Sequence, residues 1–108
     1  MNPPDAASVA SNLKEIDRLI HEPARFSVMA LLYVVESADF IFLKNQTDLS
    51  WGNLSAHLSK LEEAGYISVE KTFKGKRHNT ELRLTPAGRQ AFQAYRIQLQ
   101  QLLDGLSG

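Results

Sequence analysis

Between Leu54 and Leu84 the chain changes its period. Leu54, Leu58 and Leu61 recur at helical spacing and point inward together. Gly65 follows, a residue able to take the left-handed conformation that closes a helix. Beyond it Ile67, Val69 and Phe73 alternate on one segment and Thr80, Leu82 and Leu84 on another, with the polar run KGKRHN and its Gly75 between them. The pattern predicts a helix that hands over directly to a β-hairpin with a basic tip.

The remaining elements are helical. Val9, Leu13, Ile16 and Ile20 recur at spacings of four, three and four, giving a helix with one apolar stripe. Pro23 suits the first turn of the next helix. Phe26 to Val35 is apolar nearly all round, with only Ser27 polar, and is expected to be the buried central helix. A strand competes for Val28 to Val35, but the helix-starting proline and the length through Glu36 favour helix. Ser37 can cap a short third helix through Phe40 and Leu43 that ends near Thr47 and Asp48. Ser50 is a plausible N-cap for the leucine-striped helix. Thr85-Pro86 opens a last helix running to about Leu103. With 108 residues, 44% hydrophobic and 22% charged, the expectation is one α+β domain, mainly α with a small β-hairpin, over residues 9–105, preceded by a flexible tail at 1–8.

Two surface features have no explanation in the core. The first three turns of the leucine-striped helix present Gly52, Asn53, Ala56 and Ser59 outward, where Glu, Lys, Gln and Arg are usual. The charge is also uneven. Net charge is zero, yet Lys71, Lys74, Lys76, Arg77 and Arg83 face only Glu81, a local balance of five minus one, which leaves minus four elsewhere. Such asymmetry suits one surface turned towards a polyanion, and a solvated lysine-rich turn fits the charges about as well.

Several classes are disfavoured. The absence of cysteine removes disulfides and thiolate metal sites. The apolar run Val28 to Val35 is too short to span a bilayer, and MNPPDAAS lacks the regions of a signal peptide, so a cytoplasmic protein with no membrane partner is expected. His21, His57 and His78 lie on different elements without metal-ligand spacing, no glycine-rich loop follows a strand, and no Ser/His/Asp set converges. Neither an enzyme, a bound cofactor nor a metal site is expected.

The order of helices, tight TDLS turn, amphipathic second helix and basic hairpin points to a winged helix-turn-helix with terminal dimerisation helices. The segments NLSAHLSKLEEAGYI and LRLTPAGRQAF, within a similarity covering roughly Leu13 to Leu103, resemble the small winged-helix transcriptional regulators related to the MarR and ArsR families. The resemblance implies a homodimeric regulator, a repressor, that binds double-stranded DNA. One helix of each copy would enter the major groove, with the wing on backbone or minor groove.

On that reading the short outer face acquires a reason. Gly52, Ala56 and Ser59 let the helix approach base edges, and Asn53 can pair with adenine. Ser50 and the first-turn N–H groups suit a phosphate, and helix capping is an equal role for Ser50. Trp51 can stack on the neighbouring helix or lie against sugar and phosphate, with packing favoured. His57 is either near DNA or a structural histidine beside the core. Lys60 can reach phosphate, as can Lys44 and Gln46 unless they are ordinary surface residues. Lys74, Lys76, Arg77 and His78 are the wing candidates, Arg77 foremost for a minor groove. Phe92, Tyr95, Leu99, Leu102 and Leu106 form a second stripe at spacings of three, four, three and four. With Val9, Leu13, Ile16 and Ile20 it suits a dimer seam, packing on the own domain being the alternative. A small-molecule effector would fit the cleft between terminal helices and winged core. A protein-interaction module without specific DNA binding is the competing function.

Overall fold

The computed structural model describes residues 6–107. Its elements run α1 (Ala6–Glu15), α2 (Pro23–Val34), β1 (Ala38–Asp39), α3 (Phe40–Thr47), α4 (Trp51–Glu63), β2 (Ile67–Lys74), β3 (Arg77–Leu84) and α5 (Pro86–Gly105). The three strands form one antiparallel sheet in the order β1-β3-β2. This is the winged-helix α+β fold. Met1 to Asp5 of the expected tail lie outside the described residues, whereas Ala6 to Ser8 already belong to α1.

Local chemistry sets most boundaries. The Glu22 carboxylate accepts from the N–H groups of Ala24 and Arg25, and Pro23 occupies the first position of α2. The α4 helix ends as its Gly65 suggested: Gly65 has φ +78, its N–H donates to the Glu62 carbonyl and that of Tyr66 to the Leu61 carbonyl. That pair of bonds satisfies two carbonyls which would otherwise be orphaned. In the hairpin, Lys74 pairs with Arg77, leaving Gly75 and Lys76 as a two-residue turn with Gly75 at φ +63, a backbone that disfavours any residue with a Cβ.

Three boundaries differ from the sequence expectation. The first helix stops at Glu15 because the Asp17 carboxylate accepts from the N–H groups of Leu19 and Ile20, offering the backbone a turn in place of another helical turn. The cap of α3 is Asp39, which accepts from Phe42 N–H, and not Ser37. Between them Ala38 and Asp39 pair with Leu82 and Glu81, a third strand too short to carry a periodic signal. The strands β2 and β3 also reach further than their apolar residues, so Arg77 and His78 lie in a strand and not in the turn.

One core joins the pieces. Ile20, Val28, Met29, Leu32, Leu43, Leu54, Leu61 and Leu82 are fully buried, with Ile67, Phe92 and Tyr95 close behind. The α2 helix is central but not buried all round, since Val34 at its end is 83% exposed. Phe26 meets the edges of Phe92 and Tyr95 at ring-centroid separations of 6.0 and 5.8 Å, which fixes α2 against α5. Ile16, Ile20, Phe92, Tyr95 and Leu102 are buried within the single chain. These five therefore already pack on their own domain, the alternative that the sequence left open for the stripes. Of that seam, Val9 and Leu99 remain half-buried, and Leu13 and Leu106 exposed.

The N-terminal segment is tied to the core by polar bonds. Tyr66 donates its hydroxyl to the Asp17 carboxylate at 2.7 Å, and His21 Nδ1 meets the Tyr95 hydroxyl at 2.8 Å. Burial, then the bond to Asp17 and its charge, push the Tyr66 phenol up to about 12. A raised folded-state value stabilises the fold fully below the unfolded tyrosine range near 10 and is lost as pH climbs towards 12. We therefore expect the wild type to exceed Tyr66→Phe in stability by about 1–3 kcal/mol at neutral pH, with the difference closing between about pH 10 and 12. Urea unfolding of both proteins across that range checks it; a difference that stays constant would mean the hydroxyl keeps no proton for Asp17.

Candidate nucleic-acid interface

The α4 helix buries Leu54, Leu58 and Leu61 and turns Trp51, Gly52, Asn53, Ala56, Ser59 and Lys60 to solvent. Ser50 caps it, accepting from Asn53 N–H at 3.1 Å. The carboxamide of Asn53 has no hydrogen-bond partner among the described residues, so its donor and acceptor are both open. Gly52 is the informative position. A Cβ added there would meet nothing within 4 Å, and its backbone is not in the left-handed region. Glycine costs about 1 kcal/mol relative to alanine in a helix interior, and at the second position of α4 Gly52 bears part of that cost. Neither packing nor backbone conformation explains why the helix bears that cost.

The wing runs alongside. Lys71, Thr80 and Val69 face α4 across a groove of about 330 Å³ that also involves Ser55, Ser59 and Glu62. A neighbouring recess of about 290 Å³ is walled by Phe40, Ile41, Trp51, Ser55, His78, Asn79 and Thr80. Of the sequence candidates, Trp51, Ser59 and His78 line these two recesses, whereas Lys74 lines a separate one with Asp39 and Glu81. Lys71, Ser55, Asn79 and Thr80 are additional to the sequence candidates. Lys71 was visible in the basic patch and Thr80 in the strand alternation, but that they oppose Ser55 depends on how the hairpin folds back onto α4.

Several side chains have partners that narrow their roles. Trp51 stacks on Phe40 of α3, rings 4.9 Å apart and inclined by 12°, and Lys44 Nζ lies 5.6 Å from the indole centre. Packing on the neighbouring helix is thus the geometry Trp51 adopts, and it also holds Lys44 beside the first turn of α4. Lys74 Nζ is 3.4 Å from the Asp39 carboxylate, tying the wing to the cap of α3. Lys76 and Arg77 are exposed beside it, and Gln46 is exposed near the end of α3.

His57 is engaged within the protein. Its Nδ1 is 3.1 Å from an Arg25 guanidinium nitrogen and 3.4 Å from Glu22 Oε2. This geometry fits the structural role, in which the imidazole clamps α4 to the start of α2. Burial raises the Glu22 carboxyl, but the N–H groups of Ala24 and Arg25 and the charges of His57 and Arg25 outweigh it, leaving the group below the usual glutamate value.

Among the described residues no group of three or more His, Cys, Asp or Glu is placed to hold a metal ion. No helix among them is long and apolar enough to cross a membrane.

Comparison with known proteins bears on the family and the fold. Residues 24–103 match the family model described as a winged helix DNA-binding domain. An uncharacterized protein of Methanocaldococcus jannaschii is 36% identical over 85 residues, spanning 79% of this chain and 92% of the relative. The solved structure of a transcriptional regulator homologue from Pyrococcus horikoshii superposes with a TM-score of 0.84 at 28% identity, covering 91% of this chain and 99% of that one. The DNA-bound structure of reduced AbfR shares the fold, with a TM-score of 0.67 at 22% identity over 88% of this chain and 64% of that one.

Proposed function

The chain belongs to the winged helix DNA-binding domain family, and from that premise we propose that it is a transcriptional repressor that binds an inverted-repeat operator as a homodimer. In this reading α4 enters the major groove. Asn53 contacts a base edge while Ser50, Lys60 and the first-turn N–H groups meet phosphate. Lys44 and Gln46 hold the backbone on one side. Lys71, Lys74, Lys76 and Arg77 hold it on the other, with Arg77 in the minor groove.

The observation that carries the proposal is Gly52, a helical glycine with open space beyond it. What its smallness serves must come from outside the chain, and a nucleic-acid groove is a partner that demands close approach of a helix backbone. The second copy is supported by shape and surface. The Cα radius of gyration is 16.6 Å, against about 13 Å for a compact chain of this length. Leu13, Leu103 and Leu106, at 47, 50 and 60% exposure, leave apolar surface on the α1 and α5 helices uncovered. A small-molecule effector would act where Asp17, His21, Tyr66 and Tyr95 join those helices to the winged core, because a shift there changes the separation of two recognition helices.

Selection of bound sequences from random DNA, followed by titration in salt, tests the proposal. Wild-type log affinity should fall linearly with log salt concentration. Gly52→Leu should keep the fold yet lose operator binding. Asn53→Ala should cost about 1–3 kcal/mol at one base position, whereas Arg77→Ala should weaken all sequences alike and flatten the salt slope. If Asn53→Ala and Arg77→Ala lose the same preference, the division into base and backbone contacts is wrong. Absence of any salt-sensitive DNA binding would favour a protein-interaction module.

A further inference from the structure

The inward face of the hairpin carries Ile67, Val69, Lys71 and Phe73 on β2, paired with Leu84, Leu82, Thr80 and His78 on β3. Its inner half belongs to the core, with Ile67 2% and Leu82 0% exposed. Its outer half does not. Phe73 is 65% exposed, and its only ring neighbour among the described residues is His78, centroids 4.7 Å apart at 40°. An aromatic ring left in water near the tip of a hairpin contributes little to the fold.

Its surroundings indicate what could cover it. Lys74, Lys76 and Arg77 are exposed around the Gly75–Lys76 turn, so a partner at this tip must bring negative charge as well as apolar surface. Double-stranded DNA offers both, phosphates at the groove edge and sugar faces and base steps within it. The reach is also suitable. Four extended residues from Lys71 to the end of β2 at Lys74 span roughly 13 Å, comparable to the roughly 12 Å width of a major groove.

We propose that Phe73, backed by His78, is an apolar wedge that the wing sets against a base step in the minor groove, so that the protein reads DNA deformability there in addition to the bases under α4. The inference rests on the DNA-binding reading above. The cations of the tip hold the phosphates while the ring partly unstacks the step, which is easiest at flexible pyrimidine–purine steps. Operators should therefore favour such steps beneath the wing, at positions that make no hydrogen bond with the protein.

The test compares wild type, Phe73→Ala and Phe73→Leu on the selected operator, with 2-aminopurine placed at the step beneath the wing. Phe73→Ala is expected to keep its circular dichroism, to bind on the order of tenfold more weakly, and to retain the wild-type salt slope, because no phosphate contact is lost. The brightening of 2-aminopurine on binding should disappear, with Phe73→Leu intermediate in affinity and signal. A folded Phe73→Ala protein that matches a DNA-binding wild type in affinity and fluorescence overturns the wedge alone. A wild type without salt-sensitive DNA binding overturns the regulator reading and the wedge with it.

Discussion

Replacing Leu103 and Leu106 together by glutamate should give a folded monomer whose operator affinity falls on the order of a hundredfold or more. Leu103 on α5 and Leu106 at its C-cap are half or more exposed and lie outside the buried core, so the substitutions should leave the single chain folded. In a homodimer the same positions would bury two charges on each copy in an apolar seam, a cost of several kcal/mol when unpaired. The more obvious target, Leu99, is half-buried and packs against the protomer's own core; Leu99→Glu would loosen the chain and the dimer together. On the proposed reading, one α4 helix of 13 residues offers few base contacts, so affinity would depend on two such helices linked at fixed separation. Half-sites about 34 Å apart, or a multiple, are expected. Sedimentation, circular dichroism and operator titration decide the matter. A double variant that remains dimeric, or a folded monomer with wild-type operator affinity, would sink the seam.

The second large effect is on stability. Gly88, in the first turn of α5, lies against the chain entering β2: a Cβ built there would overlap the carbonyl group of Tyr66. That carbonyl accepts from Thr85 N–H at 3.0 Å, while the Thr85 hydroxyl bonds the Gly65 carbonyl and caps α5 at Gly88 N–H. The obstacle is backbone held at both ends, so it cannot swing aside as a flexible side chain would. Gly88→Ala should cost roughly 1–3 kcal/mol or more, lowering the melting temperature by about 5–20 °C. Gly52→Ala is the control: with open space at its Cβ it should be neutral or slightly stabilising. Equal melting temperatures for the two variants would refute the close approach. The contrast separates a glycine required by the fold from one proposed to serve a partner.

The same two glycines mark the limit of reading by sequence. In LRLTPAGRQAF the Thr-Pro pair announces a helix start from its own chemistry, but nothing local says that the glycine three residues on must clear the Tyr66 carbonyl. Asp17 ends α1 through bonds to its neighbours, yet a carboxylate at that place in an apolar period was compatible with a longer helix. The resemblance to MarR and ArsR regulators, drawn on NLSAHLSKLEEAGYI and LRLTPAGRQAF, agrees with the winged helix family match, because those segments carry α4 with its connection to β2 and β3 with its connection to α5.

What the chain determined by itself is whatever depends on neighbours within a few residues. The leucine period of α4, its Ser50 cap, its Gly65 stop, the Gly75 turn and the Thr85-Pro86 start are local conditions, and each is met where the sequence placed it. Tertiary structure decided what depends on residues far apart. It added β1, which exists only because Leu82 and Glu81 pair with it. It drew His57 to Arg25 and Glu22 and left Phe73 in water beyond the core. It also divided the terminal stripes, burying Phe92, Tyr95 and Leu102 within the chain and leaving Leu103 and Leu106 exposed. Periodicity specifies that one face of a helix will be covered; which body covers it is set by where the other elements come to rest, and that geometry is not written in any single segment.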